Sequence, residues 1–210
     1  MSTLLRIDSS PFSGEASFSR QLTSEFTAQW RESHPGGEVI DRDLAHTTLA
    51  PVDAAWIVAV HTPEAALTAE QKATLNESDK LIGELQAADE YVFGVSMHNF
   101  SIPSSLKLWI DQVARAGKTF SYEGGTPKGL LTGKKATFLV ATGGVYDQGT
   151  PMAPMNHIEP YLRLVFGFLG VTDVTFINAG GTARARFGVD PAAILQPALS
   201  SIRAHFHAAA

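Results

Sequence analysis

The chain has 210 residues, 44% of them hydrophobic and 18% charged, with a formal net charge of −5. A fold of this length buries roughly 70% of the surface its unfolded chain exposes, and this composition excludes an intrinsically disordered chain. Cysteine is absent, which removes disulfides, thiolate metal sites, thiol nucleophiles and dithiol redox couples, while mild acidity without basic blocks argues against a nucleic-acid partner.

Leu4 to Asp8 reads as a short first strand. Arg6 and Asp8 within it break the apolar stretch a secretory signal needs. A Ser/Gly/Pro-rich loop, Ser9 to Ser17, follows. Phe18, Leu22, Phe26 and Trp30 then recur every four residues, which predicts an amphipathic helix. Val39 and Ile40 start a brief second strand. Asp41 to Leu67 has no clean period and reads as an excursion with one short helix. It contains the longest apolar run, Ala54 to Val60, far below the ~20 residues of a membrane span. Thr68-Ala69-Glu70-Gln71 is a capping box, and Leu75, Ile82 and Leu85 mark one face of the helix it opens.

Tyr91 to Val95 predicts a buried strand. Pro103 suits the first turn of the next helix, whose apolar face is Leu106, Trp109, Ile110 and Val113, with Gly117 as its stop. Phe120 to Gly133 is a Gly-rich loop or hairpin. Ala136 to Ala141 is another buried strand. Ile158, Tyr161, Leu162, Val165 and Leu169 give a helix closed by Gly170. Val174 to Ile177 is the last strand, and a final helix runs from Pro191 to about His205. Five strands alternating with helices imply a single α/β domain over residues 1–210, with a parallel sheet covered on both faces. Ligands of such sheets sit outside the carboxyl ends of the strands near the switch point. The loops after strands one, three and four are therefore the ones to inspect.

The first of these carries Ser9, Ser10, Ser13, Ser17 and Ser19 and ends at a helix N-terminus. Unpaired N–H groups and the helix dipole favour a phosphate there. Ser17 as a plain helix cap is the competing reading. No dinucleotide fingerprint follows Asp8. The segment Gly129 to Lys135 has the wrong glycine spacing, and Lys where a triphosphate loop needs Ser or Thr. The second loop, Ser96 to Pro103, holds Met97, His98, Asn99 and Phe100. A thioether contacts aromatic rings favourably, and an amide supplies donors and an acceptor to a mixed heterocycle edge. Core packing is the competing reading for Met97 and Phe100. The third loop is Ala141-Thr142-Gly143-Gly144-Val145-Tyr146, where paired glycines let the backbone approach a flat ligand. Together the loops suit one phosphate and one flat polar heterocycle, a mononucleotide such as FMN.

Elsewhere, Lys107 and Asp111 are spaced for an ion pair along one helix. Asp8 is expected to bond loop amides at the strand end. His205 and His207 read as frayed, solvated side chains rather than a metal site, and no metal is expected. Ser200 and Ser201 lack the context of a hydrolase elbow.

These residues resemble a known family. Ser10, Ser17-Phe18-Ser19, Met97-His98-Asn99-Phe100 and Ala141-Thr142-Gly143-Gly144 look like the FMN loops of bacterial FMN-dependent NADH-azoreductases, also described as quinone reductases. The stretches Asn99 to Phe120 and Gly129 to Lys135 carry the most specific likeness, which spans nearly the whole chain. The resemblance implies a flavodoxin-like five-stranded sheet of order 2-1-3-4-5 and an obligate homodimer with two sites at its interface; the composition predicts a cytoplasmic chain. It implies noncovalent FMN and NADH or NADPH as donor. By position, Ser10, Ser17, Phe18 and Ser19 would hold the phosphate. Met97, His98, Asn99, Phe100, Ala141, Thr142, Gly143 and Gly144 would border the ring, and Tyr146 would sit catalytically near flavin O2. Phe120, Tyr122 and Phe168 would wall the substrate site, Tyr122 and Phe168 from the partner subunit. The family often has Tyr where His98 stands and Ser-Arg where Ala141-Thr142 stand. Its first loop is one residue shorter, and His61 takes a basic position. These departures bear on substrate and donor choice rather than on the flavin. The implied activity is reduction of quinones and azo compounds by two-electron, ping-pong hydride transfer. A flavodoxin-type electron carrier and a non-catalytic flavin-binding protein are the alternatives.

Overall fold

A computed structural model describes residues 2–122 and 125–207. Its centre is a parallel sheet of β1 (Thr3–Asp8), β2 (Glu38–Asp43), β3 (Glu90–Ser96), β6 (Lys135–Ala141) and β7 (Asp173–Ala179), in the order β2-β1-β3-β6-β7. Counting sheet strands alone, this is the expected 2-1-3-4-5. The remaining strands, β4 (Phe120–Ser121) and β5 (Lys128–Gly129), pair as an antiparallel hairpin. Glu123 and Gly124 of that predicted hairpin lie outside the described residues.

The central strands are apolar on both faces because helices cover both. On one side Leu5, Ile7, Tyr91, Phe93, Val95 and Phe138 pack under α3 (Ala69–Ala87), α4 (Ser104–Val113) and α5 (Ile158–Leu169). Phe93 is the hub there, its ring against Trp109, Phe138 and Phe166 at 5.5, 4.8 and 5.1 Å. On the other side Leu4, Val92, Leu139 and Ile177 meet Leu22, Phe26 and Trp30 of α1 (Phe18–Ser33) and Leu195, Ala198 and Ile202 of α6 (Pro191–His207).

Caps set several boundaries as the sequence predicts. The Thr68–Gln71 box opens α3, and left-handed Gly170 closes α5. Asp190 caps α6, its carboxylate accepting from the Ala192 amide, with Pro191 in the first turn. The Asp41–Leu67 excursion holds α2 (Ala54–His61) and a 3-10 turn at Glu64–Ala66. Two boundaries differ. Pro103 stands one place before α4, as its cap residue. That helix ends at Val113 rather than near Gly117, because the buried Thr119 hydroxyl donates to Val113 O at 2.7 Å and accepts from the Arg115 amide at 3.1 Å. Gly117, at φ +77°, instead makes the following turn. His205 is not frayed; its ring packs on Phe26 and Phe206. Lys107 and Asp111 form the expected i,i+4 pair.

The segment from Gly129 is a packing strap. A Cβ at Gly129 would stand 2.1 Å from the Gly170 nitrogen, and the Leu131 amide donates to Leu169 O at 2.9 Å. Only a glycine lets the hairpin press onto the end of α5. No helix among the described residues is long and apolar enough to cross a membrane.

Candidate functional site

β1, β3 and β6 end side by side, so their loops meet above the carboxyl edge of the sheet. Together they line a cavity of about 530 Å³, within the ~300–1,000 Å³ usual for ligand sites.

Ser10, Ser17, Phe18 and Ser19 form one wall. The three serines are almost fully buried. Ser17 is the N-cap of α1; its hydroxyl accepts from the Arg20 amide at 3.4 Å and lies 3.3 Å from the Ser19 hydroxyl. Capping and cavity lining therefore coexist at one residue. Ser9 instead anchors the loop: its hydroxyl and its amide both donate to Gly94 O, fastening the segment to β3. Beneath the loop, Arg20 donates to Ser10 O at 2.8 Å and pairs with Asp43 at 2.6 Å. Burial alone would raise the Asp43 pKa. Hydrogen bonds from Arg20, His46 and the Ala45 amide override it and bring the group down to about 2.

Asp8 does not bond loop amides as expected. The nearest, that of Ser9, is spent on Gly94 O, and the carboxylate accepts instead from Thr23 at 2.8 Å and Arg6 at 3.0 Å. Burial raises its pKa despite Arg6, Thr23 and Arg20. Gly94 makes this packing possible, since a Cβ there would fall 2.6 Å from the Asp8 carboxylate.

Met97 and His98 line the cavity from the β3 side. Met97 also packs against the core, so it is at once a core residue and a lining residue. The His98 and Ser101 backbones bond to each other and close a two-residue turn. Asn99 and Phe100 at its tip both take positive φ, +49° and +70°. That is ordinary for Asn and strained for Phe. Neither borders the serine-walled cavity; the exposed Phe100 ring stands edge-on to Tyr146, centroids 6.4 Å apart.

Ala141 and Gly143 line the cavity, whereas Thr142 and Gly144 support it from behind. The Thr142 hydroxyl donates to Gly144 O at 2.8 Å. A Cβ on Gly144 would press on the Tyr146 ring at 3.1 Å. Tyr146 itself faces a neighbouring cavity of about 630 Å³ with Asp147, Asn156, Arg163 and Asn178. Phe120, Tyr122 and Phe168 cluster together, Phe120 at 4.6 Å from Phe168 and 5.5 Å from Tyr122, and none of them borders the serine-walled cavity.

Sequence reasoning missed the remaining wall. Thr182, Ala183, Ala185 and Arg186, from the loop after β7, complete the cavity. The switch-point rule selects central strands, and β7 is an edge strand. The available signal was the pair of glycines, Gly181 and Gly188, that bracket this turn in left-handed conformations.

A family model described as flavodoxin-like fold matches residues 2–206. A protein of Acidobacterium capsulatum named FMN-dependent NADH:quinone oxidoreductase is 56% identical, over 97% of this chain and 98% of its own length. The chain belongs to this oxidoreductase family. A Burkholderia lata protein named FMN-dependent NADH:quinone oxidoreductase 3 is 45% identical, over 98% of this chain and all of its own. Among solved structures, an azoreductase from Bacillus anthracis superposes with a TM-score of 0.87 at 30% identity, covering 98% of this chain and 99% of that one. An FMN-dependent NADH-azoreductase of the same species, solved in complex with FMN, gives 0.86 at 25% identity, covering 98% of both chains.

Proposed function

We propose that this protein is an FMN-dependent NAD(P)H oxidoreductase that reduces quinones and azo compounds. The observation that carries the reading is the cavity itself. Its lining combines three buried hydroxyls, those of Ser17 and Ser19 at the N-terminus of α1 and that of Ser10 in the loop before it, with the Met97 thioether and the backbone of Gly143. A phosphate fits the hydroxyls and a flat heterocycle fits the thioether and backbone. FMN bound here would supply the two-electron redox chemistry between a reduced nicotinamide and the acceptor.

Ser10, Ser17 and Ser19 with the Phe18 backbone hold the phosphate. Met97, His98 and Gly143 border the ring. Thr142 and Gly144 fix the loop, and the Asn99–Phe100 turn overhangs the open side. Tyr146 lies beyond Gly144 and lines the adjoining cavity; its phenol would stabilise the negative charge of the reduced ring near O2. Donor and acceptor use one slot in turn, so the kinetics are ping-pong.

We further propose a single domain over residues 1–210 that works in the cytoplasm, where reduced nicotinamide is supplied, as a homodimer. The exposed rings of Tyr122 and Phe168 then wall the partner's acceptor site. The test is direct. Flavin released from the purified protein chromatographs as FMN, and NADH oxidation with menadione gives parallel double-reciprocal lines. Release of FAD, or NADH oxidation that requires a second protein, overturns the assignment; the latter outcome favours an electron carrier.

A further inference from the structure

The serine-walled cavity has an electrostatic gap that the first loop does not fill. A phosphate monoester carries about −1.5 to −2 charges at neutral pH. The hydroxyls of Ser10, Ser17 and Ser19 are neutral, and a helix N-terminus offers about half a positive charge. The cations beneath the loop are already spent. Arg20 is paired with Asp43 at 2.6 Å and lies 3.8 Å from Asp8, and Arg6 pairs with Asp8 at 2.9 Å. Arg6 also lies 3.9 Å from Asp41, so two guanidinium groups face three carboxylates and the network has no positive charge to spare.

Arg186 is the one Lys or Arg in the lining of the cavity, and no carboxylate lines it. Its backbone is fixed. Gly181 N donates to Gly144 O at 2.8 Å, Thr182 N to Thr142 O at 3.0 Å and Ala183 N to Gly143 O at 3.2 Å, lacing the loop after β7 onto the loop after β6. Arg184, two residues earlier, is turned back, its Nε donating to Gly181 O at 3.1 Å. Arg186 is exposed and forms no ion pair or side-chain hydrogen bond among the described residues. A guanidinium without an internal partner, in the lining of the same cavity as three hydroxyls, is suited to a charged, planar fork onto phosphate oxygens.

We propose that Arg186 is the phosphate-recognition residue of this chain, closing on the FMN phosphate opposite Ser10, Ser17 and Ser19. The proposal rests on the flavin reading above and adds to it the charge partner that the serine loop lacks. It also separates FMN from riboflavin, which fills the same ring site without a phosphate.

The experiment is equilibrium titration of the full-length chain, freed of flavin, with FMN and with riboflavin. Arg186→Gln is expected to weaken FMN about tenfold while riboflavin changes less than about twofold. Arg186→Lys recovers most of the loss, and Arg31→Gln, an exposed charge on α1 far along the helix, leaves both affinities unchanged. Added salt should weaken FMN binding to the parent chain more than to Arg186→Gln. Unchanged FMN affinity in Arg186→Gln overturns the proposal, as does an equal loss of FMN and riboflavin, which would make the side chain a mere wall. Unchanged FMN affinity with a raised KM for NADPH but not NADH would assign the guanidinium to the donor's phosphate instead, also against it. Failure of the parent chain to bind either flavin would refute the underlying flavin reading, a distinct outcome.

Discussion

Phe100 holds φ at +70° although it is neither Gly nor Asn. Such a backbone costs ~1–3 kcal/mol and persists only where the surroundings enforce it. Here the closing hydrogen bonds between His98 and Ser101 enforce it, and the His157 amide holds Phe100 O at 3.1 Å. The gain is position: the ring is carried out toward Tyr146, which it meets edge-on. Phe100→Asn, which tolerates this conformation, should stabilise the fold by up to ~1 kcal/mol in urea titration and still slow menadione reduction. Loss of both stability and activity would show that the ring is a packing element instead. Ser17 and Ser19 separate by the same logic. Ser17→Ala removes a helix cap and should cost ~1 kcal/mol of stability. The Ser17→Ala, Ser19→Ala double variant should weaken FMN at least about tenfold, through two lost charge-assisted hydrogen bonds of ~1.5–3 kcal/mol each. Asp43 adds a pH signature. Its native pKa, about 2, lies below the unfolded value of 3.8, so its stabilisation is complete above pH ~4 and is lost as pH falls toward 2. The side chain is 33% exposed, which discounts the effect to ~1–2 kcal/mol. Asp43→Asn should cost that much at pH 7 and almost nothing at pH 2.

At the scale of elements, the hairpin β4–β5 depends on one atom's absence. Ala at position 129 would drive its Cβ into the backbone of Leu169 and Gly170. Gly129→Ala should cost ~2–3 kcal/mol, a fall of roughly 5–10 °C in Tm for a chain of this length. It should also lower turnover, because Phe120 begins the hairpin and Tyr122 follows β4. This strap also shows where sequence reading stops. The strands of the sheet were legible because buried parallel strands are continuous apolar runs, as in Tyr91–Val95, and the helices because their caps are chemical. Gly129 was visible only as a glycine, since its contact lies across the chain at Gly170. The end of α4 was misplaced for the same reason: the competing bond comes from Thr119, a residue with no periodic signal. Of the candidate site legible in the sequence, the loops after central strands bring Ser10, Ser17, Phe18, Ser19, Met97, His98, Ala141 and Gly143 to one cavity, and leave Asn99, Phe100, Thr142 and Gly144 outside its lining. Arg186 was not legible, because Thr182 to Phe187 has neither an apolar period nor a recognised spacing, and only the hydrogen bonds of Thr142, Gly143 and Gly144 to the loop after β7 bring it to the cavity.

On the scale of the whole molecule, the apolar surface is unevenly spent. α2 is apolar over its whole length up to His61, yet of its side chains only Ala59 is buried; Ile57 and Val58 are 48% and 59% exposed. A surface helix of a monomer would carry polar residues on its outer face. Tyr122 and Phe168 are likewise open to solvent, in an aromatic cluster that one chain does not bring to its own serine-walled cavity. The proposed homodimer would account for both features by burying α2 and delivering the aromatic cluster to the partner's acceptor site. The serine-walled cavity, by contrast, is lined by described residues of one chain, from Ser10 through Arg186. The two properties should therefore come apart. Light scattering should give twice the 22.5 kDa chain mass, and the Ile57→Lys, Val58→Lys double variant should give a monomer. That monomer should keep its FMN affinity within about threefold, because no phosphate or ring contact is lost. Its turnover with NADH and menadione should fall by at least about tenfold, equivalent to ~1.4 kcal/mol, because the acceptor loses its aromatic wall. A parent chain that is monomeric and fully active would refute the shared site. A monomeric double variant with undiminished turnover would keep the dimer but place Tyr122 and Phe168 outside the reaction.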